Sequence, residues 1–349
     1  MLPPDARILV VPLRFIGDTI LTVPVLRAIK QALPQSNIDV LVSAQAKPLL
    51  EGSPYHRSLL LEAPKLTARF RQIQKGAYDA CLLLRKSATM AYLLQMAGIP
   101  ERLGYDNQRF FSPIGFQRWG LGLTHLGGYP RENTDTHQTQ HHLNLLSEWG
   151  IHETNTTLEL WCDEADQSRV EELLSENNDQ NDYSVPKAES PLAVIHTNSA
   201  SFGKSINSKA LIPALQILQE AGYRIIGIGG TADTADMEAL SSNAGLPILN
   251  LAGKTTLRQT FALMKKASMM KKASIFIGVD SSPIHLASAA EVPKIMGLYG
   301  PTNSNQWGVH NSRIIFKALQ VKALQEDSEE PTETEQQILS ALQELLKCK

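Results

Sequence analysis

Only three cysteines occur in 349 residues: Cys81, Cys162 and Cys348, odd in number and far apart. That spacing excludes a disulfide framework and a paired-cysteine zinc pattern, and it favours a reducing compartment. No apolar run reaches the ~20 residues of a membrane-spanning helix, because Arg14 and Asp18 interrupt the most apolar N-terminal stretch. The opening MLPPDA lacks the basic flank of a signal peptide. The expectation is a cytoplasmic protein. A net charge of −2 gives no global pull toward nucleic acid, and no basic-aromatic interleaving supplies a local one. G-x-G-x-x-G is missing after the first strand, which argues against a dehydrogenase, and the P-loop spacing fails throughout.

What is present is a soluble composition, 43% hydrophobic and 19% charged, in a chain long enough for two domains. Short apolar runs alternate with helix-length amphipathic segments. RILVVPL (7–13), IDVLVS (38–43), SLLLEA (58–63) and YDACLLL (78–84) read as buried strands. A helix is expected from 18 to 33, ended by Pro34, and another over 87–98. Residues 104–136 are rich in Gly, Pro, Asn and aromatics and are expected to be irregular; a helix near 138–149 ends at Gly150. The polar stretch 175–191 has no apolar periodicity and reads as a linker. The rhythm then restarts at 192–198, 223–229, 248–253, 274–280 and 293–300, before an acidic run (326–335) and a last helix at 335–347. This predicts an α/β chain of two Rossmann-like domains with parallel sheets facing across a cleft, the GT-B architecture. The expected bounds are 1–175 for the first domain, 176–191 for the linker, 192–325 for the second domain, and 326–349 for an acidic loop and C-terminal helix. The pentapeptide MKKAS at 264–268 recurs at 270–274, too short to be a solenoid repeat.

Charge is uneven. Residues 1–86 hold twelve Lys or Arg against six Asp or Glu, including Arg57, Lys65, Arg69, Arg71, Lys75, Arg85 and Lys86. Two readings stand: a solvated basic surface, or attraction to an anionic acceptor or membrane surface.

Four segments follow strands, where open α/β sheets bind ligands. In the first, Gly17 allows close backbone approach and Asp18 is either a helix N-cap or a base. In the second, His196 to Lys204, the residues Asn198, Ser199 and Lys204 suit phosphate, although a plain polar loop reads equally well. In the third, Asp280, Ser281, Ser282 and His285 stand at a helix start with Pro283 in the first turn; this is an anion site or an ordinary cap with a core histidine. The fourth, Gly229-Gly230-Thr231, is weak alone but shares one domain with the second and third. His137, His141 and His142 have no carboxylate or cysteine partner motif, so no metal site is expected.

Together these segments resemble the bacterial lipopolysaccharide-core heptosyltransferases, glycosyltransferase family 9. The resemblance rests on IGDTILTVPVLRAIKQALP (16–34), LAGKTTLRQTFALMKKA (251–267) and GVDSSPIHLASAAEVPKIMGLYGPTN (278–303). It implies an ADP-heptose-like donor in the second domain, and in the first an anionic glycolipid or lipopolysaccharide-core acceptor, with peripheral contact at the cytoplasmic face of the inner membrane. It also implies inversion without a metal or other cofactor. Asp18 takes the general-base position and Lys204 the donor-phosphate position. Asp280, Ser281, Ser282 and His285 surround donor sugar and pyrophosphate, and Thr255 falls near the adenine side. Ser282 replaces a frequent family glycine, which predicts strain if that position needs positive φ. The family's Lys-x-Trp-Pro segment is absent, Lys204 being followed by Ser-Ile-Asn. Alternatives are a GT-B transferase with a different nucleotide-sugar, or a non-catalytic nucleotide-sugar-binding protein.

Overall fold

The computed structural model describes residues 2–106, 110–112, 115–117, 122–128, 135–175, 190–199, 203–270, 274–321 and 332–348. The chain divides into two compact units, Met1–Glu159 and Leu160–Lys349.

The first unit contains β1 (Arg7–Val11), β2 (Asn37–Val42), β3 (Ser58–Leu61), β4 (Ala80–Leu83), β5 (Glu101–Asp106), a short antiparallel pair β6 (Phe110–Ser112) and β7 (Gly115–Gln117), and β8 (His125–Gly128). Its main sheet has the order β3-β2-β1-β4-β5-β8, with every neighbouring pair parallel. Ile8 to Val11 of β1 are fully buried, as expected of a central strand covered on both faces. Helices α1 (Ile16–Ile20), α2 (Val23–Ala32), α3 (Lys47–Leu50), α4 (Leu66–Gly76), α5 (Ala88–Met96) and α6 (Gln138–Leu145) connect and cover the strands. The single helix expected over 18–33 is two helices. Pro24 cannot donate to the carbonyl of Ile20, so the ladder breaks at Leu21–Thr22. The Thr22 hydroxyl turns back to the Asp18 carbonyl, 3.0 Å away. Buried Arg27 of α2 fastens the segment that leaves this unit, donating to the Asn155 and Thr157 carbonyls and to Glu159.

The second unit contains α7 (Glu164–Ser175), β9 (Leu192–His196), α8 (Ile212–Glu220), β10 (Arg224–Gly227), α9 (Thr234–Ala244), β11 (Leu249–Asn250), α10 (Leu257–Met269), β12 (Ile275–Val279), α11 (Ser282–Ala289), β13 (Lys294–Tyr299), α12 (Ser304–Trp307), β14 (Ile315–Gln320) and α13 (Thr332–Lys347). Its sheet order, β11-β10-β9-β12-β13-β14, repeats that of the first unit and is again parallel throughout. Thr256 starts α10 with a reciprocal capping box: its hydroxyl accepts from Gln259 N and the Gln259 side chain accepts from Thr256 N. The C-terminal helix belongs to this unit's core, where Ile338, Ala341, Leu342 and Leu345 are buried beside Ile195, Ile225 and Leu298.

Several expectations differ from these findings. Residues 104–136 are not wholly irregular, since β5 ends there and β8 adds a sixth strand. Helix α7, placed by sequence in the first domain, packs on α10; Arg258 bonds Asp163 and Asp166, each at 2.8 Å, and Lys266 bonds Glu171. The expected linker lies outside the described residues except for 190 and 191, as do 326–331, Ala200 to Phe202 and Lys271 to Ala273.

Candidate active site

Both sheets have the doubly wound order, in which the connections reverse direction at one point: between β1 and β4 in the first unit, and between β9 and β12 in the second. At such a switch point the loops leaving adjacent strands diverge and open a crevice beyond the strand ends. Asp18 follows β1, the segment from Thr197 to Lys204 follows β9, and Asp280 to His285 follow β12.

In the second unit the switch point holds a compact ionic cluster. The Lys204 ammonium donates to Asp280 Oδ2 at 2.6 Å, and the Thr302 hydroxyl donates to the same oxygen. Asp280 is almost fully buried and directly precedes Ser281, the extended N-cap of α11. The cluster therefore stands at the N-terminal end of an eight-residue helix whose first N–H groups are unclaimed by the helix itself. Ser281 Oγ lies 3.2 Å from Nδ1 of His196, the last residue of β9. Burial lowers both His196 and His285 to about 4, with nearby Asp280 opposing the shift at His285. Both are neutral rings at physiological pH, able to hydrogen-bond but not to serve as a cation. Nδ1 of His285, Oγ1 of Thr197 and the hydroxyl of Tyr299 are buried and have no hydrogen-bond partner among the described residues.

Ser282 is the first residue of α11, and its backbone carries no strain. Among the described residues, Ala77 and Glu291 are the non-glycines with positive φ. The strain expected there is corrected, because a first helical turn suits any L-residue.

A second cluster links the loops after β9 and β10. Asn198 donates to Asp233 at 3.1 Å and to Asp236 at 2.7 Å, while Gly230 N donates to Asp233 Oδ2 at 2.7 Å. A Cβ on Gly229 would lie 2.4 Å from that same oxygen, so the turn is built around the Asp233 carboxylate. Thr231 packs on Gly253, whose φ is +72° and whose added Cβ would meet Thr231 Cα at 2.9 Å. Ser199 N bonds the Ser205 hydroxyl at 3.0 Å. Thr255 bonds Thr260 within its own helix start and joins neither cluster.

In the first unit, Asp18 is not the helix cap. Phe15 holds that position in an extended conformation with no side-chain bond, leaving Asp18 as the third residue of α1, half-buried beside Gly17. Of the clustered histidines, His142 is fully buried between Tyr105, whose hydroxyl is 2.6 Å from Nδ1, and Gln138. Among the described residues no group of three or more His, Cys, Asp or Glu could hold a metal ion. Part of the basic surplus is tied internally. Arg57 makes two bonds to Asp39, and Arg69 and Arg85 both engage Glu62.

Sequence reasoning missed Thr302, and it gave His196 no role although it opened the second segment. Thr302 lies in the noticed Gly-Pro-Thr segment, but spacing alone does not show that β13 ends beside β12. His196 reads as a strand residue until Ser281 is brought to it.

The comparisons with known proteins agree with this picture. A family model, Glycosyltransferase family 9 (heptosyltransferase), matches residues 66–337. Lipopolysaccharide heptosyltransferase 3 of Escherichia coli K12 is 25% identical over 316 residues, covering 87% of this chain and 85% of that protein. The crystal structure of a family 9 glycosyl transferase from Veillonella parvula superposes with a TM-score of 0.78 at 20% identity, over 99% of this chain and 98% of the other. That of E. coli ADP-heptose lipopolysaccharide heptosyltransferase II gives 0.74 at 20% identity, over 97% and 98%. Two units of identical strand order, a polar cluster at the switch point of the second, and a family match across most of the chain lead to one assignment: this chain belongs to glycosyltransferase family 9, the heptosyltransferases, with a GT-B fold.

Proposed function

We propose that this glycosyltransferase moves a heptose, or a similar sugar, from an ADP-heptose-like donor to a lipopolysaccharide-core or related anionic glycan acceptor. The second unit binds the donor and the first unit the acceptor. The observation that carries the reading is the Lys204–Asp280–Thr302 cluster at the start of α11. It supplies a cation, hydroxyls and a helix N-terminus at one switch point, the set needed to hold a diphosphate. The donor itself is suggested by the names of similar proteins, one of them an ADP-heptose transferase.

In the proposed reaction the acceptor hydroxyl attacks the anomeric carbon opposite the leaving group. The new C–O bond forms as the bond to the diphosphate breaks, inverting the centre. Asp18 takes the hydroxyl proton, and general-base help of this kind contributes about 10²–10⁴-fold. The electron pair of the broken bond leaves on the nucleoside diphosphate. Lys204, the Ser199 and Ser281 hydroxyls and the α11 N-terminus stabilise that charge, so no metal is needed for it. Asp280 and Thr302 hold Lys204 in place, and neutral His285 completes the wall around the sugar. Asn198 and the Gly229-Gly230-Thr231 turn line the nucleotide side, with Ser282 and Thr255 at its margins and Gly17 giving the acceptor room beside Asp18. No helix among the described residues is long and apolar enough to cross a membrane. We place the reaction in the cytoplasm, at the inner face of the membrane that carries the acceptor.

The test is turnover with ADP-heptose against UDP- and GDP-sugars on a core-oligosaccharide acceptor, read as nucleotide release. Release confined to the ADP donor supports the reading. Equal or preferential use of another nucleotide transfers it to a different donor, and no turnover with any donor rejects it.

A further inference from the structure

Asp18 stands on a slight support. Helix α1 has five residues, fewer than two turns. A helix that short has no stability of its own, and Phe15 caps it without a side-chain bond. Its C-terminal end is irregular as well. Thr22 N and Val25 N each donate to the carbonyl three residues back, to Thr19 at 3.1 Å and to Thr22 at 3.0 Å. Pro24 has no N–H to give to Ile20. The regular ladder is therefore interrupted across the α1–α2 joint.

Threonine hydroxyls take over there. Thr22 Oγ1 donates to the Asp18 carbonyl at 3.0 Å, and Thr139 Oγ1, from α6, reaches the Leu21 carbonyl at 3.4 Å. Thr19 Oγ1 adds a bond to the Phe15 carbonyl at 3.2 Å. All three threonines are buried, Thr22 and Thr139 completely. In a buried joint a carbonyl left without a donor is costly, so these bonds select one backbone conformation over its neighbours. The Thr22 bond closes on the backbone of Asp18 itself. The Thr139 bond spans 118 residues of sequence and ties the joint to α6. One anchor is local and the other distant, and together they fix how α1 is turned. The turn of a helix sets where its side chains point, and a misplacement of about 1 Å at a reacting group can cost about 10²-fold in rate.

We infer that Thr22 and Thr139 are positioning residues that hold α1, and with it the Asp18 carboxylate, at the geometry the acceptor hydroxyl requires. Neither touches the reacting atoms. Thr22 acts on the Asp18 carbonyl, and Thr139 acts three residues further on. The active feature of each is its hydroxyl donor, which serine keeps and valine lacks. The inference rests on the proposed role of Asp18 as the base.

The test is a double-mutant cycle on the full chain, with initial rates taken on ADP-heptose and a core-oligosaccharide acceptor. Thr22→Val is made in the parent and in Asp18→Asn. In the parent it is expected to lower kcat by about fivefold or more, while KM for the donor stays close to the parent value. Thr22→Ser is expected to recover most of that loss. In the Asp18→Asn background Thr22→Val should lower kcat little further, because the group it positions is gone. Thr139→Val follows the same pattern with a smaller loss, and it carries the cycle if Thr22→Val does not fold. A merely structural role would lower the active fraction equally in both backgrounds. Equal losses therefore overturn the inference, as does an unchanged kcat in Thr22→Val or a loss that Thr22→Ser shares. Amide hydrogen exchange over residues 16–22, measured without substrates, is an independent readout. Exchange should be faster in Thr22→Val and parent-like in Thr22→Ser; unaltered exchange in Thr22→Val overturns the inference. Parent-like turnover in Asp18→Asn rejects the proposed base and this inference with it. An impaired Asp18→Asn beside a fully active Thr22→Val rejects only the positioning role.

Discussion

Lys204 Nζ lies 2.6 Å from Oδ2 of Asp280, pairing a lysine side chain that is 22% exposed with an aspartate side chain that is 5% exposed. The lysine still reaches solvent, whereas the carboxylate depends on it and on Thr302. Removing one partner of a buried pair costs about 3–5 kcal/mol, because the other charge is stranded. Lys204 is only partly buried, so Lys204→Met is expected to cost less, about 2 kcal/mol. Asp280→Asn in the same chain should recover most of that loss while leaving transfer impaired. Unfolding and initial-rate measurements on both singles and the double separate the two roles. If the double variant recovers activity together with stability, Lys204 is structural and does not contact the donor.

Asp18→Asn keeps size and hydrogen-bonding capacity at a half-buried position that is not a helix cap. Stability should change by about 1 kcal/mol, the centre of the range for point substitutions. Turnover should fall by about 10²–10⁴-fold, the usual worth of a general base. Donor affinity should be retained, since Asp18 belongs to the first unit and the proposed donor site to the second. Turnover within a factor of a few of the parent would remove Asp18 from the reaction.

The buried histidines set an acid limit. Burial, with a smaller contribution from His141, lowers His142 to about 3, and His196 and His285 stand at about 4. An unfolded histidine titrates near 6.5, so between that pH and the folded value the unfolded chain binds more protons. Stability is therefore fully present above about pH 6.5 and falls as pH drops, by about 1.4 kcal/mol per unit for each such ring. His142→Gln should remove about one proton from the slope of unfolding free energy against pH between 6 and 4. An unaltered slope would show that His142 is already protonated in the folded chain.

The central strands were legible because burial on both faces writes them as continuous apolar runs, as in β1, β4 and β12. Of the edge strands, β3 and β11 were read but β8 and β14 were not. β14 (IFKALQ) alternates between half-buried and exposed positions, and β8 (HLGG) is short and glycine-rich at the sheet edge. Neither differs in pattern from a loop until its neighbour supplies hydrogen bonds. The same limit applied to the site. Asp280 and Ser281 stood out because they directly follow β12, and Lys204 because it lies in the polar segment that begins at the end of β9. Thr302 and Glu62 did not: Thr302 matters because β13 lies beside β12, and Glu62 because the long Arg85 side chain reaches it although β2 and β1 stand between β3 and β4. The basic surplus of residues 1–86 was visible as a count, but not that Arg57 would be spent on Asp39 while Arg14 stays unpaired among the described residues.

Gly300 marks how closely the loops after β9 and β13 approach each other. A Cβ built there would sit 2.4 Å from the Gly203 carbonyl oxygen and 3.7 Å from Lys204 Cα. The obstacle is backbone and cannot rotate aside as a side chain could. Gly203 is itself held at φ +77°, and the Gly300 carbonyl accepts from the Gln320 amide, so neither side of the contact is free to yield cheaply. Gly300→Ala must push the Gly203–Lys204 peptide away from β13, carrying the ammonium off Asp280. The expected cost is about 1–3 kcal/mol, the range for overpacking a close contact, together with a raised KM for the donor that exceeds any fall in kcat. Gly128→Ala is the matched control. Its Cβ would meet nothing within 4 Å, and it should leave both stability and KM close to the parent. Thermal unfolding and donor-dependent initial rates of the two variants decide the matter. Gly300→Ala behaving like Gly128→Ala would mean that the Gly203 loop moves freely and that its close packing against β13 does not position Lys204.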